Sequence, residues 1–246
     1  MKSFDEEVTE RISANAHNVA LQRSNAKLME ESLKAQYSYN FAWLGRPIIQ
    51  YPQDIVAMQQ LIWSVQPDLI IETGIAHGGS VIFSASMLEL NAACGGPAAA
   101  TVVAIDIDIR AHNRAAIEAH PMFKRVSLIQ GSSVSPDIVA EVKARTVGKE
   151  RVMVCLDSNH THEHVLAELT AYAPLVTIGS YCIVFDTIVE DMPAEIIKDR
   201  PWSPGNNPKT AVREYLTAHS EFEIDSRIDN TFLLSVAPSG YLKRVK

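Results

Sequence analysis

The stretch Leu69-Ile70-Ile71-Glu72-Thr73-Gly74-Ile75-Ala76-His77-Gly78-Gly79-Ser80 constrains the fold more than any other part of the chain. Its apolar start fits a buried strand, and Pro67-Asp68 punctuates the sequence just before it. Three glycines then make a tight turn, and the apolar-periodic run Val81 to Leu90 comes next as a helix. Glycine lets a backbone approach a ligand closely because no Cβ intervenes. Ser80 is placed to cap the helix, whose free N–H groups face the same space. The stretch therefore predicts a small-molecule site at the carboxyl end of the first strand of a parallel sheet.

Beyond Leu90 the chain alternates in the same way. Strands are expected at Thr101 to Asp106, Val126 to Gln130, Val152 to Asp157 and Tyr181 to Asp186. Helices are expected between them at Ala111 to Ala119, Asp137 to Arg145 and His162 to Tyr172, with another at Ala211 to Ala218. Phe222 to Ile224 and Phe232 to Val236 read as two closing strands, the last antiparallel. Alternating strands and helices imply a parallel sheet covered on both faces. The expected fold is α/β, a doubly wound, Rossmann-like sheet of seven strands with N-terminal helices.

The chain divides into residues 1–50, a helical segment and lid, and residues 51–246, the main domain. Met1 to Tyr39 is polar and helix-friendly, with apolar residues too sparse for a strong amphipathic face. One or two helices lying on the main domain or on a second subunit are expected, with a partly ordered tail as the alternative; the sparse apolar positions suggest subunit contacts and a homo-oligomer. Phe41 to Tyr51 is an irregular apolar connection folded over the ligand site, and Asp54 opens a helix that Pro67 ends. Ile188 to Pro208 is long, proline-rich and poor in pattern; such a connection inside a compact domain is usually a lid or binding loop, or else disordered.

A net charge of −7 argues against non-specific binding to nucleic acid or to an anionic membrane. Three cysteines, Cys94, Cys155 and Cys182, form neither a disulfide framework nor a zinc pattern. No apolar stretch is long enough to span a bilayer, and the N-terminus lacks an apolar signal region, so a cytoplasmic protein is expected.

Asp106, Asp157 and Asp186 each end a strand, and Glu72 lies at the end of the first. In a doubly wound sheet the ligand crevice lies at those carboxyl ends. Any one of these acids has a plain alternative as a solvated turn residue; four at equivalent positions favour function. A carboxylate at Asp106 can accept both hydroxyls of a ribose, as nicotinamide dinucleotides and S-adenosyl-L-methionine both require. The glycine pattern separates the two. A dinucleotide needs G-x-G-x-x-G, whereas Ala76 and His77 stand where pyrophosphate needs close backbone approach. Glu72 suits an amino-acid ammonium group better than a pyrophosphate. S-adenosylmethionine is therefore preferred over a nicotinamide oxidoreductase, and a non-catalytic binding or assembly protein on the same fold is the other alternative.

The second constellation is Leu156-Asp157-Ser158-Asn159-His160, with His162 and His164 just after it and Phe185-Asp186-Thr187 on the next strand. Neighbouring strands lie about 5 Å apart. Asp157 and Asp186 can then share one hard cation, and Mg2+ accepts one or two carboxylates while keeping waters. His160 is placed beside that cation as a general base. His162 and His164 fall in the first helical turn, and H-x-H-x-H on a helix start does not put three rings on one face, so zinc is disfavoured.

At these residues the chain resembles the cephalosporin hydroxylase-like family, which consists of S-adenosylmethionine-dependent O-methyltransferases and is related to macrolide-sugar and rhamnosyl O-methyltransferases. The resemblance runs from about Trp43 onward. It rests on Glu72-Thr73-Gly74 with Gly78-Gly79-Ser80, on Leu156 to His160, on Gly179-Ser180-Tyr181 with Val184 to Thr187, and on Gly205 to Lys209. It implies a class I methyltransferase fold, with cofactor contacts from Glu72, Gly74, His77, Gly78, Ser80, Asp106, Ser132, Ser133 and Asp157. It implies Mg2+ near Asp157 and Asp186, with Thr187 beside them, and a base at His160. The acceptor would be a hydroxyl of a small molecule: a sugar, a polyketide or another secondary metabolite. One departure stands out. Metal-dependent relatives carry a Glu-Asp pair after the fifth strand, and here Phe185 precedes Asp186. Either a ligand is lost, or Thr187, Glu190 or Asp191 substitutes for it, or the site works without metal. Trp202, Asn206, Asn207 and Lys209 are candidates to touch the acceptor, with ordinary loop structure as their alternative.

Overall fold

Apolar runs of four to six residues become strands here because both of their faces are covered by helices. The computed structural model describes residues 2–246. β3 (Leu69–Thr73), β4 (Thr101–Asp106), β5 (Val126–Gln130), β6 (Val152–Leu156) and β7 (Tyr181–Val184) pair in parallel. Every residue of β3, β6 and β7 is buried. Burial on both faces is why these strands read as continuous apolar runs rather than alternating ones.

The helices that cover them are α3 (Pro52–Val65), α4 (Gly79–Ala93), α5 (Ala111–Glu118), α6 (Pro136–Arg145), α7 (His162–Tyr172) and α8 (Pro208–Ala218). Two apolar layers result. Ile70, Met153, Ile183 and Phe83 belong to one, and Ile71, Val154, Val184 and Leu169 to the other. With β8 (Phe222–Ile224) and β9 (Tyr241–Arg244) the sheet has seven strands in the order β5-β4-β3-β6-β7-β9-β8. β9 runs antiparallel to both of its neighbours.

The closing strand is not the expected one. Phe232 to Val236 is the end of α9 (Ser226–Phe232) and an irregular turn. Asp54 of α3 claims this stretch, accepting hydrogen bonds from the Ser235 hydroxyl and the Val236 N–H (3.0 Å). Its carboxylate also accepts from Tyr241 Oη at 3.0 Å, so one fully buried acid ties the turn and the start of β9 to α3. Burial pushes that carboxyl up to about 6 against the pull of its three donors.

The irregular connection after the N-terminal helices α1 (Phe4–Asn15) and α2 (Val19–Lys34) is also more ordered than expected. β1 (Phe41–Trp43) and β2 (Arg46–Ile48) form an antiparallel hairpin that closes through Leu44-Gly45, both at positive φ. Two positive φ values are what a type I′ turn demands, and Leu44 is an unusual residue for it. The hairpin lies on the glycine turn: a Cβ on Gly79 would collide with the Pro47 carbonyl and Ile48. No described helix is long and apolar enough to cross a membrane.

Candidate active site

Register decides what meets at the rim of the sheet. Thr73 pairs with Ile105 on one side and Leu156 on the other, and Leu156 pairs with Val184. The next residues, Gly74, Asp106, Asp157 and Phe185, are therefore neighbours, and Asp186 follows one residue on, its carboxylate within reach of Asp157 at the same rim. Gly74 sits at φ +89°, and a Cβ there would run into the Asp157 carbonyl. Only glycine allows the turn to pass so close to the end of β6.

Asp106 holds that turn in place. Its Oδ2 accepts from the Ile75 N–H at 2.8 Å and its Oδ1 from the Asp108 N–H at 3.0 Å. Arg46 of the hairpin donates to the His77 carbonyl at 3.0 Å, fixing the far side of the turn. Two expectations for the turn change. The N-cap of α4 is Gly78, with no side-chain cap, and Ser80 lies one residue inside the helix. The Ser80 hydroxyl instead points back at Glu72, as Ser84 Oγ does at 3.3 Å. Gly78 faces Ile117 of α5, where a Cβ would not fit, and serves the turn itself. Glu72 is buried; loss of water raises its carboxyl to about 7, against the two serine hydroxyls.

A crevice runs along this rim. One part is lined by Gln50, Gly74, Ile75, His77, Ser80 and Asp157. Glu72, Ser84 and Phe185 lie at its narrow inner end. A second part is lined by Asp106, Ile107, Ser132, Ser133, Ser158 and His164.

At the β6–β7 end of the rim, one donor atom each from Asp157, His160 and Asp186 lies within 4.8 Å of the others. His160 Nε2 is 3.0 Å from Asp186 Oδ2, with the imidazole mostly covered and the carboxylate a third exposed. Burial and the Asp186 charge push the Asp157 carboxyl well above the usual range, with His160 opposing. Burial alone would lower the His160 imidazole; the Asp186 charge and hydrogen bond outweigh it and bring the ring to about 8. Burial likewise works against the Asp186 charge, and the His160 partner overcomes it, holding that carboxyl below its usual range. Among the described residues no hydrogen-bond donor rests on the Asp157 carboxylate. An acid left without donors beside a second acid is suited to a bound cation.

The expected substitutes for the missing acid do not reach this cluster. Asp186 adopts φ +54°, which turns the chain sharply. Thr187 is thereby sent into the core, fully buried, where it donates to the Pro238 carbonyl at 2.8 Å. Thr187 is therefore no metal ligand. Glu190 accepts from the Gly205 N–H and pairs with Arg213, and Asp191 pairs with Lys209. Phe185 packs in the apolar core at 3% exposure. The third polar atom of the cluster belongs to His160, paired with Asp186.

The long connection after β7 is held by its own polar groups. Asn207 caps α8 and binds Glu190; Asn206 accepts from the His162 N–H at 3.0 Å. Both asparagines and Lys209 are thus spent on the loop rather than turned to an acceptor. Trp202 differs. Its ring meets His160 edge-on at 4.6 Å, and Arg200 stacks over it at 5.4 Å. Sequence reasoning missed the partners of His164. Its i,i+4 spacing to Glu168 was the available signal.

The family profile described as Rhamnosyl O-methyltransferase/CmcI matches residues 35–245. The chain belongs to that family. This makes it an S-adenosylmethionine-dependent O-methyltransferase. Relatives of this Rhamnosyl O-methyltransferase/CmcI member include the rhamnosyl O-methyltransferase of Mycobacterium tuberculosis (strain ATCC 25618 / H37Rv), 28% identical over 230 residues that cover 90% of this chain and 87% of that one. That of Mycobacterium leprae (strain TN) is 26% identical over 231 residues, covering 90% and 93%. Among solved structures, CmcI with Mg and SAM superposes with a TM-score of 0.59 at 19% identity, covering 85% of this chain and 78% of that one. TomG of Streptomyces achromogenes, an O-methyltransferase involved in tomaymycin synthesis, gives 0.55 at 17% identity and covers 90% of both. These likenesses establish the class I methyltransferase fold for this family member.

Proposed function

We infer that the protein methylates a hydroxyl group of a sugar or sugar-bearing small molecule, with a divalent cation such as Mg2+ at the rim. The reading is carried by the cluster of Asp157, His160 and Asp186 set beside the glycine turn. The names of the rhamnosyl relatives support the sugar. Bound S-adenosylmethionine supplies an electrophilic methyl group on sulfonium, and a bound cation supplies positive charge at the acceptor oxygen.

The chain's own residues do the rest. Glu72 and Ser80, at the inner end of the crevice, take the amino-acid end of the donor, with Gly74 and His77 along its side. Asp106 takes the ribose, and Ser132 and Ser133 the base. Asp157 and Asp186 hold the cation. His160 accepts the proton that the hydroxyl gives up. In the free protein its imidazole is raised to about 8 by its acidic neighbour and is mostly protonated at neutral pH. A cation held by Asp157 and Asp186 would offset the charge that raises the ring, and His160 is the group placed to take the proton. Residues 41–50 close over the donor as a lid, and Trp202 walls the acceptor side. Subunit contacts of a homo-oligomer fall on α1 and α2, whose Phe4, Val19 and Leu28 are more than half exposed.

The test is S-adenosylhomocysteine formation with rhamnosyl glycosides as acceptors, for the wild type and His160→Ala. Turnover is expected to fall by roughly 100-fold or more in the variant. Equal turnover would remove His160 from the reaction, and no turnover by the wild type on any glycoside would remove the sugar.

A further inference from the structure

Glu168 of α7 has no solvent exposure, and its Oε2 has no hydrogen-bond partner among the described residues. A buried carboxylate oxygen left without a partner is costly. Its other oxygen, Oε1, accepts from Ser158 Oγ at 2.7 Å and lies 3.5 Å from His164 Nε2. His164 Nε2 is also 3.2 Å from Ser158 Oγ and 3.2 Å from Ser133 Oγ. His164 and both serines line the part of the crevice that begins at Asp106.

These contacts fix the ring. A serine hydroxyl has one proton to give. Ser158 gives its proton to Glu168, so it can only accept from His164. Two acceptors, Ser158 Oγ and Glu168 Oε1, then face Nε2, and the tautomer with its hydrogen on Nε2 is the one that satisfies them, with Ser133 Oγ also accepting. In the neutral ring this leaves Nδ1 as a bare acceptor, and Nδ1 makes no hydrogen bond to any described residue. A partner behind a histidine sets its tautomer in this way, and the other nitrogen becomes the reading atom.

We propose that His164 is a specificity-determining residue for the methyl donor: its Nδ1 accepts a hydrogen bond from the exocyclic amine of adenine, and Glu168 is the positioning residue that holds it in that tautomer through Ser158. The inference rests on the S-adenosylmethionine reading above and adds how the base is recognised. A 6-oxopurine presents an acceptor at the same place, and two acceptors facing each other leave both unpaired.

The experiment is calorimetric titration of the full chain with S-adenosylhomocysteine and with S-inosylhomocysteine. The wild type is expected to prefer the adenosyl compound by roughly tenfold or more. His164→Ala abolishes the preference by weakening adenosyl binding alone. Glu168→Gln, which keeps the volume but loosens the tautomer, reduces it. His164→Asn, which restores an amide oxygen near the Nδ1 position, recovers part of it. Circular dichroism of each variant shows which ones fold, and the wild-type comparison needs no variant. Failure of the wild type to bind S-adenosylhomocysteine would overturn the donor assignment itself. Equal binding of the two compounds by the wild type, or an undiminished preference in folded His164→Ala, would overturn the role of His164 while leaving the donor assignment standing.

Discussion

Replacing Glu72 by glutamine separates what the residue costs the fold from what it gives the site. Glu72 is 3% exposed, with Ser80 and Ser84 hydroxyls on its carboxylate, and burial raises its carboxyl from the usual 4.5 to about 7. The folded chain therefore keeps the proton up to about pH 7, while the unfolded chain releases it near 4.5. Between those values the native state binds more protons, so this group's contribution to stability falls as pH rises. Each pH unit of that window is worth about 1.4 kcal/mol. Above pH 7 the ionised residue thus costs the fold roughly 3 kcal/mol relative to pH 4.5. Glutamine resembles the protonated acid and never ionises. Glu72→Gln is expected to unfold like the wild type at pH 5 and to be more stable by roughly 3 kcal/mol at pH 8. For a chain of this size that is a rise of roughly 6–12 °C in Tm. The same variant is expected to bind S-adenosylhomocysteine more weakly at pH 8, because the ammonium group loses its counter-charge. Urea unfolding and calorimetry at both pH values measure the two effects. A stability difference between wild type and variant that does not change from pH 5 to pH 8 would refute the reasoning.

Three other variants carry expected outcomes. Asp186→Asn removes the largest charge that lifts His160, so the imidazole, followed by NMR titration, moves down from about 8, while Asp157 and Glu168 still raise it; an unmoved titration contradicts the pairing. The same variant should bind Mn2+ at least tenfold more weakly, read by electron paramagnetic resonance. Gly74→Ala places a Cβ against the Asp157 carbonyl at positive φ, and should lower unfolding stability by roughly 2–4 kcal/mol; a loss under 1 kcal/mol would show that the turn relaxes. Asn207→Ala removes the α8 cap and the buried partner of Glu190, with an expected loss of about 1–2 kcal/mol and faster proteolysis between residues 188 and 207; unchanged cleavage would mean the loop is held elsewhere.

The parallel core was legible because burial on two faces writes itself as unbroken apolar runs, and β3 to β7 stand where those runs are. The rim was legible for the same reason: Gly74, Asp106, Asp157 and Asp186 each lie at or just past the end of such a run. What escaped depends on partners far away in the chain. Phe232 to Val236 has a strand's composition, but Asp54 binds its backbone and side chains first. The hairpin at Phe41 to Ile48 has strands of three residues and an atypical turn residue, too little for a pattern to show. Ser80 looks like a cap until Glu72 is seen beneath it. Thr187 looks like a ligand until the left-handed Asp186 turns it away.

β9 comes after both β7 and β8 in the chain yet lies between them. Until residues 241–244 pair with both, β8 lacks its native neighbour and β7 keeps a row of open backbone groups. A chain cut before Tyr241 would therefore carry an unpaired, apolar strand edge at β7 that invites other molecules to complete it.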